Sequence, residues 1–337
     1  MSNSAVTATA TSDTAVELTH VTKVFWQSRP TGLFRRDTHR IAALDDVSFT
    51  VRRGEFVAYA GPNGAGKSTT FKLLCGMLAP QSGRVTALGR DPARERIAIM
   101  QKTGVLFGNR SELWWDHPVR ASFEWKRRVW DIPDETYGRM FKTVCDLLEL
   151  DDFLGAFSRE LSLGQRMRAN LGLTLLHDPA LILLDEPTLG LDILAKRQMI
   201  GFLKRMNREA GATILVTSHD IDDLTEMAER IMLINKGKLA FDGGYEALTR
   251  LTGDKRLLRF TSPDPEPNIA GATMVSREDG RHCYEYDAGA VSITTLLRSL
   301  ADIPGVSDVE TGRAPIEAVI AELYRSWTGK GNEGAGG

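Results

Sequence analysis

Cysteine is scarce in this chain. Cys75, Cys145 and Cys283 are the only three in 337 residues. They stand far apart and outside any metal-ligand spacing. That argues against a disulfide framework or a cysteine metal site, and for reduced thiols in a reducing compartment. Long apolar runs are missing too. No stretch reaches the roughly 18 to 20 residues that cross a bilayer, so any membrane function needs separate membrane subunits. There is no basic surplus: 42 Lys and Arg stand against 44 Asp and Glu, for a formal net charge of -2. A general nucleic-acid binder carries an excess of positive charge, so no nucleic-acid partner is expected. Met1 to Thr14 is rich in Ser, Thr and Ala and lacks both a basic n-region and an apolar h-region. A disordered tail is expected there, not a secretory signal, with the chain in the cytoplasm. No internal repeat is visible, so each motif below is expected once.

The chain does have enough apolar residues for a packed core, at 42% hydrophobic against 26% charged. The length suits one large domain and a small one. Val16 to Trp26 and Ile41 to Val51 read as strands, interrupted by Gln27 to Arg40 with Pro30, Gly32 and the arginines 29, 35, 36 and 40. Glu55 to Ala60 reads as a short strand before a Gly-rich loop, and Ser68 to Leu78 as the helix after it. Ser111 to Leu150 is mostly helical in pattern. Leu161 to Leu176 reads as a helix capped by Ser162. Leu181 to Leu184 and Thr213 to Thr217 are continuous apolar runs, as in parallel strands buried on both faces. Ile231 to Asn235 and Lys238 to Phe241 read as strands joined by a Lys-Gly turn. After Gly253 comes a Pro-rich break at Ser262 to Pro267. Beyond it strands are expected at Thr273 to Ser276, His282 to Tyr286 and Val306 to Val309, and helices at Val291 to Leu300 and Pro315 to Trp327. Leu257 to Thr261 joins this small α+β appendage. Gly329 to Gly337 reads as a second disordered tail.

The loop Gly61-Pro62-Asn63-Gly64-Ala65-Gly66-Lys67-Ser68-Thr69 has the spacing of a P-loop. Its glycines let backbone N–H groups turn inward around phosphate oxygens, and the next helix points its N-terminus at the same anion. Lys67 is placed to reach the outer phosphates and Ser68 to ligate Mg²⁺. The alternative, a chance Gly-rich turn, lacks this strand-loop-helix context. Asp185 and Glu186 close an apolar strand. They read either as a Mg²⁺ carboxylate followed by a water-polarising one, or as acids favoured at a helix N-terminus. Leu161-Ser162-Leu163-Gly164-Gln165 reads either as a second anion cradle at a helix start or as a plain N-cap serine.

With these parts assembled, the chain resembles the ATP-binding cassette (ABC) transporter ATPases from about Val16 to Leu251. The motifs stand in that family's order: the P-loop, the signature Leu161 to Gln165, the Walker B run ending Asp185-Glu186, the D-loop Gly190-Leu191-Asp192, and the switch histidine in Thr217-Ser218-His219-Asp220. The resemblance implies an α/β P-loop NTPase cassette over 15–252, with a helical subdomain near 110–170 and an antiparallel β subdomain. A C-terminal α+β appendage is expected over 253–328. It implies ATP and Mg²⁺ as ligands and a sandwich of two cassettes, a homodimer in the simplest case. In that sandwich Ser162, Leu163, Gly164 and Gln165 of one copy complete the ATP site of the other, and Asp192 crosses the interface. His219 contacts the γ-phosphate and, with Glu186, holds the attacking water. Phe25 stacks on adenine, with Trp26 as the alternative. Two positions depart from the family pattern. Leu163 replaces a glycine of the signature. Asn109 stands where a glutamine usually contacts Mg²⁺ and water, and Gln101 is too early to substitute.

The string Leu113-Trp114-Trp115-Asp116-His117-Pro118-Val119, with Leu161 to Arg168, resembles a bacterial exporter branch with ABC-2-type membrane partners, linked to multidrug or viologen efflux. Trp114 and Trp115 then suit docking of an integral-membrane permease subunit; the alternative is packing within the helical subdomain. The expected function is an ATPase driving an exporter from the inner face of a bacterial plasma membrane. An importer ATPase and a soluble non-transport ABC protein are the rivals.

Overall fold

The computed structural model describes residues 13–30, 36–108, 111–218, 226–313, 320 and 323. They form two compact units. One runs to residue 219 and takes in Asp223–Asp242; the other comprises Asp220–Asp222 and the chain from Gly243 onward.

The first unit holds two sheets. In the smaller, β1 (Thr14–Pro30) lies between β2 (Arg36–Arg52) and β4 (Ser82–Ala87). Thr14, expected in the tail, opens β1 opposite Arg52. The expected break from Gln27 to Arg40 is instead a continuation of the hairpin: Gln27 pairs with His39, Arg29 with Asp37 and Pro30 with Arg36. Pairing of β1 with β4 stops at Thr22 and Ser82. Beyond that point β1 has no described strand on its other side, and Pro30, which lacks an N–H to donate, is tolerated at such an edge.

The larger sheet has the order β5-β6-β7-β3-β8-β9, with β3 at Phe56–Ala60, β5 at Thr103–Phe107, β6 at Leu181–Asp185, β7 at Thr213–Thr217, β8 at Arg230–Asn235 and β9 at Lys238–Gly244. From β5 through β8 every pairing is parallel. Strands β3, β6 and β7 are buried along their whole length, as their unbroken apolar sequences require when both faces are covered. Tyr59, Leu183, Leu215 and Ile234 pack with Phe71, Leu74, Val16, Leu44 and Phe49 into one core that joins the two sheets. Parallel pairing gathers the carboxyl ends of β3, β6 and β7, where ligands bind in such sheets.

The helices are α1 (Lys67–Leu74), α2 (Arg96–Met100), α3 (Val119–Val129), α4 (Asp134–Leu148), α5 (Leu163–Leu175) and α6 (Ile193–Ala210). α1 stops short of Leu78 because Gly76 takes φ 63°, a left-handed turn that ends a helix. The helical region expected from Ser111 to Leu150 is two helices, and 111–118 lies outside both. The sequence reading had not singled out α6. Its apolar residues Met199, Ile200, Phe202, Leu203 and Met206 recur at helical spacing.

The second unit contains α7 (Tyr245–Thr252) and a sheet ordered β11-β12-β10-β13. The strands are β10 (Lys255–Thr261), β11 (Ala272–Glu278), β12 (Arg281–Asp287) and β13 (Ser307–Arg313), with α8 at Ile293–Ala301. Its core is Leu258, Phe260, Ile269, Tyr284, Tyr286, Leu296 and Leu300. α7 groups with this unit, which takes in the chain from Gly243 onward. The helix expected at Pro315 to Trp327 lies mostly outside the described residues, as do both tails beyond Asp13 and Thr14.

Candidate active site

The phosphate loop follows β3 and ends on α1. Gly66 has φ 121°, and a Cβ there would sit 2.5 Å from the Ala43 carbonyl; only glycine fits. A Cβ at Gly61 would sit 2.3 Å from the Ile234 carbonyl. At the crest, a Cβ on Gly64 would meet nothing within 4 Å. The loop is thus tight at its feet and open at its top. No side chain caps α1, so its N-terminus is left to an anion. The Lys67 ammonium donates to the Gly61 carbonyl at 2.6 Å. Burial holds its pKa below the ordinary lysine value, while Glu186 and Asp185 pull the other way. Thr70 anchors the helix from behind: its hydroxyl lies 3.1 Å from that of the buried Tyr59.

Asp185 sits across from the loop at the end of β6. Ser68 Oγ donates to its Oδ2 at 2.9 Å, and Thr217 Oγ1 donates to its Oδ1 at 2.7 Å. The Gly108 N–H, at the end of β5, donates to the Asp185 carbonyl at 2.9 Å. Glu186 takes the left-handed conformation, φ 56°, which turns the chain just past the strand. Its N–H is held by the Thr217 carbonyl and hydroxyl, each at 3.1 Å. Ser68 and Asp185 together offer hard oxygen donors, the type that Mg²⁺ takes, so the residues fit that ion. Thr217 is the part sequence reasoning missed. The only signal was its place at the end of an apolar run, in register with Asp185.

Ser162 caps α5. Its hydroxyl accepts from the Gln165 N–H at 3.2 Å, and Gln165 Oε1 accepts from the Ser162 N–H at 2.9 Å. This capping box satisfies the plain N-cap reading and leaves the hydroxyl hydrogen free to donate to an anion. Leu163 is 45% exposed. It lies beside Gly190, where a Cβ would come within 2.8 Å of Leu163 Cδ2. The signature and D-loop are therefore neighbours in one chain. Asp192 caps α6, its carboxylate accepting from the Ala195 N–H at 2.9 Å.

Residues 44–189 match the family described as ABC transporter. EcfA of Methanoculleus marisnigri, an energy-coupling factor transporter ATP-binding protein, is 31% identical over 217 residues, or 64% of this chain and 77% of EcfA. The chain belongs to the ABC transporter ATP-binding family. YbhF of Escherichia coli (strain K12), described as a "probable multidrug ABC transporter ATP-binding protein", is 32% identical over 250 residues, 72% of this chain; the match spans 41% of the length of YbhF. Among solved structures, the dimeric post-hydrolysis state of the ATP-binding cassette MJ0796, bound to ADP and Pi, is similar with a TM-score of 0.57 at 26% identity. That match covers 68% of this chain and 98% of that one.

The remaining expected positions of the cassette divide into described and undescribed. Phe25 is 39% exposed on β1, with Lys23 Nζ 5.5 Å from its ring centre. It pairs with Ile41 of β2, the strand whose Ala43 and Leu44 approach Gly66. Trp26 is more exposed, at 68%. Asn109 and His219 lie outside the described residues. Trp114 packs against His117 and Trp125, with ring centres 5.2 and 5.3 Å apart. Trp115 is 58% exposed, and the Arg166 guanidinium lies 5.2 Å from its ring centre. Neither tryptophan is core. Among the described residues, no helix is long and apolar enough to cross a membrane.

Proposed function

We propose that this chain is the ATP-hydrolysing subunit of an ABC exporter, peripheral on the inner face of a bacterial plasma membrane and working as a pair of cassettes. The observation that carries the ATPase reading is the convergence of Lys67, Ser68, Asp185, Glu186 and Thr217 at the carboxyl ends of β3, β6 and β7. Gly61 to Thr69 and Lys67 bind the phosphates. Ser68 and Asp185, with Asn109, hold Mg²⁺, which supplies charge neutralisation at the phosphates. Glu186 orients water for attack, with His219 beside it, and Phe25 stacks on adenine.

Pairing is supported by what surrounds the signature. Leu163, Leu189, Ile193 and Leu194 are 39–73% exposed, an apolar edge that a second copy covers. There Ser162, Leu163, Gly164, Gln165 and Asp192 complete the partner's ATP site; the similar cassette MJ0796 forms a dimer. The exporter reading rests on the Trp114 to Val119 string, on the similarity to multidrug YbhF, and on Trp115 being available to a permease subunit. An importer-type reading is favoured by the similarity to energy-coupling factor ATP-binding proteins such as EcfA.

Glu186→Gln tests the pairing. With ATP it should elute as a dimer in gel filtration and hydrolyse about 10²- to 10⁴-fold more slowly. A species that stays monomeric with ATP bound would sink the sandwich reading.

A further inference from the structure

Helix α5 carries Ser162, Arg166, Asn170 and Thr174 at i, i+4 spacing, so they share one line along the helix. This polar line runs beside the chain that leaves β5. Thr174 lies against Gly104, where a Cβ would sit 2.8 Å from the Thr174 carbonyl. Asn170, only 5% exposed, meets Ser111 and Glu112: its Oδ1 accepts from the Glu112 N–H at 2.9 Å and from Ser111 Oγ at 3.1 Å. Arg166 meets Trp115. Gly104 of β5 and the segment 111–115 therefore both lie against the signature helix, the latter toward its N-terminus.

The orientation of the Asn170 amide is fixed by its partners. A backbone N–H can only donate, so Oδ1 faces Glu112. The Arg166 carbonyl can only accept, so Nδ2 faces it, at 3.0 Å. Other bonds secure the same segment. The Trp114 N–H donates to Ser122 Oγ at 3.0 Å, and Lys126 Nζ reaches Glu112 at 2.5 Å. Upstream, Gly108 is bonded to Asp185. Hydrogen bonds thus run from Ser111 and Glu112 through Asn170 to the helix headed by Ser162.

We propose that Asn170 is a positioning residue for ATP turnover, clamping Ser111 and Glu112 to the signature helix so that the 111–115 segment and the Ser162 end of α5 move as one body. The inference rests on the reading that Ser162 to Gln165 close over the partner's phosphates. Asn170 touches no nucleotide. Its loss frees a hinge between that segment and the helix and leaves the P-loop as it was.

Steady-state ATPase of the full chain tests this, with Asn170→Ala, Asn170→Asp and Ser111→Ala beside Ser162→Arg. Asn170→Ala should lower kcat about tenfold with KM for ATP held within about twofold, because a misplaced group costs rate before binding. Asn170→Asp keeps an acceptor for Ser111 and Glu112 but turns its second oxygen on the Arg166 carbonyl, so it should recover only part of kcat. Ser111→Ala, at an exposed position, should lower kcat about two- to threefold at unchanged KM. The proposal is overturned if Asn170→Ala hydrolyses normally, or if kcat and ATP affinity fall together and Asn170→Asp restores neither. If Asn170→Ala does not fold, an unchanged kcat in Ser111→Ala overturns it instead. Persistent hydrolysis in Ser162→Arg would locate the failure in the sandwich reading and take this inference with it. A dead Ser162→Arg beside a normal Asn170→Ala would remove the clamp alone.

Discussion

At the phosphate-binding end, Lys67 is held by Gly61, and Asp185 by Ser68 and Thr217. At the signature end, the Ser162 and Gln165 side chains accept from each other's backbone N–H, and Leu163, Ile193 and Leu194 stand in the open. The first region is preassembled, so binding there costs little reorganisation. The second is capped and waiting, and its apolar edge gains only when covered. That contrast fits the proposal that the cassette binds ATP alone and turns it over only when paired.

Ser162→Arg should break that contrast most sharply. It places a long cation at the cap, and hydrolysis should fall about 10²- to 10³-fold, the scale of losing a transition-state donor. ATP affinity should stay near its original value by equilibrium binding. Equal loss of both would mean the signature serves its own chain's site.

A smaller effect is expected at the preassembled end. Thr217→Val removes the hydroxyl that reaches Asp185 and Glu186. Leaving a buried carboxylate oxygen unpaired costs about 1–3 kcal/mol, which should appear as a lower Tm and as lost ATPase rate together. A normal rate with a lowered Tm would make Thr217 purely structural.

Trp114→Ala with Trp115→Ala sharpens the other half. Exposed aromatic anchors contribute about 2 kcal/mol or more each to an interface, so co-purification with membrane partners should drop steeply. Basal ATPase should stay within about twofold. Unchanged attachment would return both rings to packing within their own subdomain.

Leu163→Gly is the mildest change. Loss of a helix former in the first turn of α5 costs up to about 1 kcal/mol, and Gly190 has room beside a smaller residue. Turnover should shift by about twofold or less. A large loss would show that Leu163 itself seals the interface.

Much of the core was legible because its signals are local. The runs Leu181–Leu184 of β6 and Ile214–Val216 of β7 are apolar without a break and carry no competing pattern. Gly66 and Lys67 stand at fixed offsets in a loop whose spacing alone marks it. Other parts were not legible. Pro30 and Gly32 read as an interruption, because the partner that carries the hairpin on, Arg36 to Arg40, is non-local. Asn170 read as one polar residue in a helix, because nothing near it in sequence says that Ser111 and Glu112 come to meet it.

The sequence by itself determined the family, the phosphate loop, the acid pair and the signature, since each is a short pattern whose chemistry depends on adjacent residues. Tertiary structure alone decided that Thr217 supports Asp185, that Leu163 abuts Gly190, and that Ser111, Glu112 and Trp115 lie along α5. Those are contacts between segments far apart in the chain. Their partners are chosen by strand order and helix packing, which no local pattern encodes.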